Sequence, residues 1–179
     1  MLSYRNLSLK TVNLLEWVHL HCAKVPFVLK TDDDMFVHVA RLLEVLQQLQ
    51  PANRSLIGHP RCRDRPVRDE NDPKFYTSRE EFEADVFPHF LMGRGYLMTG
   101  DVAEELYEAA LPATFLHLED VFVSGILAPT LGIRSVPIEN FTCESPEDCP
   151  NSKPAIFACR STRQFFILSQ RLHGIGGGR

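Results

Sequence analysis

The sequence predicts an α/β fold, and three stretches carry that expectation. Val25 to Leu29 is a short run rich in β-branched and aromatic side chains, the pattern of a buried strand. Further on, Val39, Leu42, Leu43, Leu46 and Leu49 recur at helical spacing. Between the two stand Asp32, Asp33 and Asp34, which puts three carboxylates on a strand-to-helix turn, at the carboxyl end of a strand expected to be parallel. Adjacent carboxylates repel, so their joint ionisation needs good solvation or a counter-charge, and at such a strand end the usual counter-charge is a divalent metal. A solvated turn is the commoner fate of an arbitrary acidic triplet. The buried strand in front of this one weighs towards function, because strand ends in α/β folds are where ligands bind. An EF-hand is excluded, since its Gly and Glu positions hold Val37 and Leu43. A phosphatase-type Asp-x-Asp-x-Thr/Val is disfavoured by Phe36.

Composition sets the outer bounds. The 179 residues suffice for one domain with a real core, and 44% hydrophobic with 23% charged residues is ordinary for a globular chain. A net charge of −4 argues against nucleic acid or an anionic membrane as the main partner. No stretch reaches the ~18 consecutive apolar residues of a membrane span. The five cysteines (Cys22, Cys62, Cys143, Cys149, Cys159) follow no zinc spacing, and their odd number leaves a thiol over in an oxidising compartment. Sequons at Asn6, Asn53 and Asn140 lean towards a lumenal or secreted chain.

In chain order, residues 7–22 are expected to be helical, with Leu7, Leu14, Leu15 and Val18 roughly on one stripe and Trp17 beside it. A helix before the first strand is an unusual start for an α/β sheet, so the chain is expected to be the later part of a larger domain. Ser55–Gly58 reads as a strand. Residues 59–88 form a long polar segment, with Lys74–Thr77 as one strand of a hairpin and most arginines solvated. Gly93 and Gly95 flank Arg94; they either bring the backbone close to a ligand or make a tight bend. Tyr96–Thr99 has strand character, and Asp101 is placed to N-cap a helix carrying Val102, Leu106, Ala109 and Ala110. Glu119 and Asp120 open an apolar helical run, either as favourable charges at a helix start or as a general base held in a fixed orientation. After Ile133 a loop with Cys143 and Cys149 leads to a strand, Ala155–Cys159, and then to the stretch Phe165–Leu172. One domain is expected over 1–173, with a Gly-rich tail over 174–179.

These motifs, in this order, resemble the inverting β-1,3-galactosyltransferase and β-1,3-N-acetylglucosaminyltransferase family of the Golgi. The segment from Tyr4 to Thr11 is similar to the family's Tyr-x-Asn-Leu-Thr-x-Lys-Thr, and Lys30–Val37 to its metal-binding DxD segment. Arg65–Arg68 and Lys74–Tyr76 match its Pro-x-Arg and Lys-Trp/Phe-Tyr positions. Pro88–Thr99 resembles Pro-Tyr-x-x-Gly-x-Gly-Tyr-x-x-Ser, and Glu119–Phe122 resembles Glu-Asp-Val-Tyr/Phe.

The resemblance implies a GT-A fold, a Rossmann-like sandwich for a UDP-sugar, with its first nucleotide-binding strands and a signal-anchor helix preceding this chain. It implies a type II membrane protein on the lumenal side of the Golgi, acting on an acceptor glycan. By the same resemblance Mn²⁺ would be held by Asp34 and Asp32, with Asp32 on the ribose or a metal-bound water and Asp33 a secondary donor contact. Asp120 would be the general base and Glu119 the alternative, more suited to orienting the acceptor. Gly93, Gly95 and Tyr96 would line the donor-sugar and acceptor side. Overall likeness leans to galactose as the sugar transferred. Three positions depart from the pattern: Phe90–Met92 lacks a cysteine, Arg94 replaces a small residue, and Cys159 occupies or adjoins a histidine that can join the metal shell. A thiolate is softer than manganese selects. The non-enzyme reading is an inactive lumenal domain that keeps the fold.

Overall fold

The computed structural model describes residues 4–22, 24–49, 53–139, 141–143, 154–159 and 161–172. Helix α1 spans Leu7–Cys22, but its buried positions are Ser8, Thr11, Leu15 and Val18, while Leu14 and Trp17 are 37% and 56% exposed. The core-facing stripe is thus half polar. Ser8 can take it because its hydroxyl donates to the Leu116 carbonyl at 2.6 Å, which removes the penalty of burial.

Strand β1 (Phe27–Thr31) and strand β4 (Phe90–Thr99) pair antiparallel, Phe27 opposite Thr99 through Thr31 opposite Gly95. The expectation of a parallel, fully buried strand is corrected on both counts. An apolar run carries no information on strand direction, and β1 is half-buried because, among the described residues, it pairs on one side only. Strand β3 (Ser55–Arg61) pairs antiparallel with β4 and parallel with β5 (Arg134–Pro137), completing the order β1-β4-β3-β5.

The acidic triplet leads not into a helix but into a short strand, β2 (Met35–Val37). Helix α2 (Val39–Gln48) begins only after it, its N-terminus capped by His38, whose Nδ1 accepts from the Arg41 N–H at 3.2 Å. The helical periodicity was legible because it is long; a three-residue strand has too little pattern to separate it from a turn. A second sheet runs β2-β7-β6, with β7 (Ile156–Ala158) antiparallel to β2 and parallel to β6 (Thr142–Cys143). β5 and β6 fall where only a loop was expected. Cys143 is disulfide-bonded, and Cys22, Cys62 and Cys159 are free.

Side chains alternate between the two faces of the main sheet, as strand geometry requires. Leu56, Tyr96 and Met98 enter one core with Leu15, Leu106 and Phe122. Ile57 and Leu97 enter the other with Leu42, Val45, Phe141 and Ile156. On the first side lie α1, helix α3 (Ala103–Ala110) and a π-helical segment, Val121–Leu127, that runs into α4 (Ala128–Thr130). On the other lie α2 and the small sheet. Asp101 does not cap α3; a 3₁₀ turn, Gly100–Val102, precedes that helix, and the Asp101 carboxylate accepts from the Arg54 backbone N–H at 3.1 and 3.3 Å.

Residues 62–89 make no hairpin; their ladder contact is an isolated bridge between Val67 and Tyr76. What organises this segment is Arg68, the arginine of the Pro-x-Arg match, whose guanidinium donates to the carbonyls of Thr77, Ser78, Phe82 and Ala84 at 2.6, 2.8, 2.7 and 2.9 Å. Five donors in a rigid fork let one side chain satisfy four carbonyls of an irregular loop. Helix α5 spans Thr162–Leu172. Among the described residues no helix is long and apolar enough to cross a membrane. Residues 174–179 and Asn140 lie outside the described residues.

Candidate active site

A cleft of about 990 Å³ opens where the end of β1, the first half of β4 and the segment preceding the π-helix converge. Its lining contains Asp32, Asp33, Asp34, Gly93, Glu119 and Asp120, so the acidic triplet and the Glu119–Asp120 pair face one cleft.

Asp120 stands at the start of the π-helical segment. Its Oδ1 accepts from the Val121 N–H at 2.9 Å, and its Oδ2 accepts from the Gly93 N–H at 3.1 Å. Burial pushes its carboxyl above the usual aspartate range, and the two backbone donors only partly oppose this. A helix N-terminus favours the ionised form, and burial here opposes that preference. Gly93 keeps this contact uncrowded: a Cβ there would lie 3.0 Å from Asp120 Oδ2 and 3.2 Å from its Cβ, so Asp120 would have to give by a few tenths of an ångström. Ser124, one turn on, fixes the same wall, donating to the Asp120 carbonyl at 2.6 Å and accepting from the Leu91 N–H at 2.8 Å.

Glu119 is only 4% exposed and fully engaged. Its Oε1 accepts from the Tyr96 hydroxyl at 2.5 Å and its Oε2 from the Lys30 ammonium at 3.0 Å. Burial raises the Glu119 carboxyl above its ordinary value, with Lys30 and Tyr96 pulling the other way. Burial also lifts the Tyr96 phenol far above its ordinary value, so it stays protonated and serves as a donor. Tyr96 thus lies beneath the cleft and not on its lining. Gly95 does too: a Cβ there would meet Ile156 Cδ1 at 2.4 Å, so this glycine serves sheet-to-sheet packing.

Lys30, which sequence reasoning did not single out, joins the two acidic groups. It is 8% exposed, and its Nζ reaches Asp32 Oδ1 at 2.7 Å and the Gly93 carbonyl at 2.5 Å besides Glu119. Burial works against the ammonium, but Glu119 and Asp32 outweigh it and keep its pKa above the ordinary lysine value. The signal in the sequence is positional. Val28 and Lys30 alternate onto the face that Met98 and Tyr96 share, so a lysine stands where the strand pattern calls for an apolar residue. Tyr4 is a second unforeseen lining residue, its phenol pushed up to about 12 by burial and by the charges of Asp120 and Asp32.

Asp33 and Asp34 are exposed and face the cleft, and hard carboxylate oxygens suit a divalent cation. No group of three His, Cys, Asp or Glu side chains converges on one point among the described residues, so a cation here would draw further ligands from whatever anion binds with it. Cys159 does adjoin the triplet: its N–H donates to the Asp34 carbonyl at 2.7 Å, while its thiol contacts the Ser161 carbonyl at 3.5 Å.

The first 139 residues carry this wall, and residues 2–139 match the family model described as galactosyltransferase. The chain belongs to the galactosyltransferase family. It is similar to human beta-1,3-galactosyltransferase 5, with 39% identity over 131 residues, which is 73% of this chain and 42% of the relative. It is 36% identical to human beta-1,3-galactosyltransferase 2 over 140 residues, 77% of this chain and 33% of that one. It is 34% identical to the rat UDP-GlcNAc:betaGal beta-1,3-N-acetylglucosaminyltransferase 7 over 139 residues, 78% of this chain and 34% of the other. This galactosyltransferase-family chain therefore spans less than half the length of these relatives. All four site segments, from Tyr4 through Asp120, lie inside the matched residues.

Proposed function

We propose that the protein carrying this chain transfers a hexose from a UDP-sugar to the 3-hydroxyl of an acceptor glycan, with inversion at the anomeric carbon. The observation that supports this most is one cleft lined both by the exposed carboxylates of the triplet and by an Asp120 carboxylate aimed by two backbone N–H groups. Asp120 is the general base. Its raised pKa suits the role, since a base with a pKa nearer the working pH abstracts a proton more effectively while still being ionised. As the acceptor oxygen bonds to the anomeric carbon, its proton passes to Asp120 and the bond from that carbon to the phosphate oxygen breaks, releasing UDP. Glu119, saturated by Tyr96 and Lys30, fixes the wall beside the base and is not the base itself.

Asp34 and Asp32 would hold a divalent cation, Mn²⁺ in this reading, with Asp33 a secondary contact and further ligands drawn from the bound donor. When bound, that ion supplies positive charge where the diphosphate leaving group develops negative charge. The layered α/β core with helices on both sheet faces fits a GT-A sandwich, and galactose is the donor sugar we favour because beta-1,3-galactosyltransferases stand among the relatives. A lumenal Golgi location follows from the same reading, with Asn6 and Asn53 exposed and open to glycan.

The test is a screen of the full-length protein with Mn²⁺, UDP-galactose and UDP-N-acetylglucosamine against a panel of acceptor glycans. Transfer that makes a β-1,3 linkage is the expected result. A well-folded protein that neither transfers nor hydrolyses any UDP-sugar would instead support a non-catalytic domain, a reading favoured by Cys159 at the backbone neighbour of Asp34.

A further inference from the structure

We propose that Lys30 is a positioning residue with two effects: it sets the geometry behind Asp120, and it competes with a divalent cation for Asp32. An ammonium has three protons, and Lys30 has three acceptors, on three different elements. These are Asp32 just past β1, Gly93 on β4, and Glu119 before the π-helix. Gly93 is the pivot. Its carbonyl accepts from Lys30 at 2.5 Å while its N–H, in the preceding peptide unit, donates to Asp120 Oδ2 at 3.1 Å, so Lys30 anchors one side of the residue whose other side aims the base. Glu119, buried next to Asp120, would be an uncompensated charge without this ammonium, and a buried carboxylate with no counter-charge forces its surroundings to rearrange.

The second effect follows from the 2.7 Å contact with Asp32. That ammonium takes up one oxygen of the triplet, and its charge repels a dication seated on the neighbouring carboxylates. Lys30 therefore aids turnover while weakening metal affinity, two consequences that a purely structural residue would not set in opposition. The inference rests on the glycosyl-transfer reading for its kinetic half only.

The test compares Lys30→Met and Lys30→Arg in the full-length protein. Mn²⁺ binding in the presence of UDP is followed by electron paramagnetic resonance, alongside steady-state kinetics and thermal melts. Lys30→Met should lower kcat by about 10²-fold or more, through misplacement of the base. It should tighten the Mn²⁺ Kd by about threefold to tenfold, because a nearby positive charge has gone. Lys30→Arg keeps the charge, so Mn²⁺ affinity should stay near wild type while kcat falls. If Lys30→Met does not fold, Lys30→Gln carries the same expectations. Weaker or unchanged Mn²⁺ binding in the neutral variant, or undiminished kcat, would overturn the proposal. If the wild type turns over no UDP-sugar, the glycosyl-transfer reading falls, yet the Mn²⁺ comparison still decides the competition; a wild type that binds no Mn²⁺ overturns it.

Discussion

Asp120 is held by the backbone on both oxygens, which separates its position from its chemistry. Asp120→Asn preserves the shape and removes the basic site, at the cost of one of the two backbone hydrogen bonds, since its single oxygen can accept from Gly93 or from Val121 but not both. It should cost about 10²–10⁴-fold in kcat, with UDP and Mn²⁺ affinity near wild type. Glu119→Gln should cost less in direct proton transfer, acting through lost contacts to Lys30 and Tyr96; a larger loss there than at Asp120 would exchange the two roles. The pH profile follows from the direction of the shift. A base works only when ionised, and Asp120 ionises above the ~3.9 of an ordinary aspartate, so kcat should rise with pH along a limb displaced upward from that value. A limb at or below the ordinary value would contradict the burial that raises it. At this scale the sequence exposed the acids because acidic side chains cluster visibly. Lys30 escaped because a lysine beside three aspartates looks like surface charge balance until strand alternation turns it inward.

The π-helical segment Val121–Leu127 lies directly behind the base, and widened helical turns are frequent at functional sites. Ser124 is its fastening to β4, joining the Asp120 carbonyl to the Leu91 N–H. Ser124→Ala should destabilise the fold by about 1–3 kcal/mol, since it leaves the Leu91 N–H without its partner in a buried wall. Chemical denaturation of the folded protein measures this, and a loss under that range would show that water replaces the hydroxyl. Apolar run length marked this element as helical, but the widening of its turns leaves no mark in apolar spacing. The loop over residues 62–89 has the same lesson. Its arginines were legible as charge, whereas the gathering of four carbonyls around Arg68 depends on a fold of the loop that no spacing announces.

For the whole molecule, the reliable part of the sequence was its longest periodic segments, α1, α2 and the strands from Ser55 and Tyr96. Direction and partner of the short strands were not legible, because pairing is a property of two distant segments. Chelation gives the global check on the metal reading. EDTA should abolish transfer, with recovery on adding Mn²⁺, and turnover unaffected by chelator would remove the ion from the reaction. The small sheet has a consequence for synthesis on the ribosome. Met35–Val37 finds its ladder partner in Ile156–Ala158, and the Asp34 carbonyl finds Cys159, so more than a hundred residues must emerge before the triplet is fastened. A nascent chain stalled with residue 143 just clear of the ribosome would have its main sheet in hand and its acidic turn without these partners. Protease added to such stalled chains should cut around Asp33 and Asp34, and lose that cut once Cys159 has emerged from the ribosome.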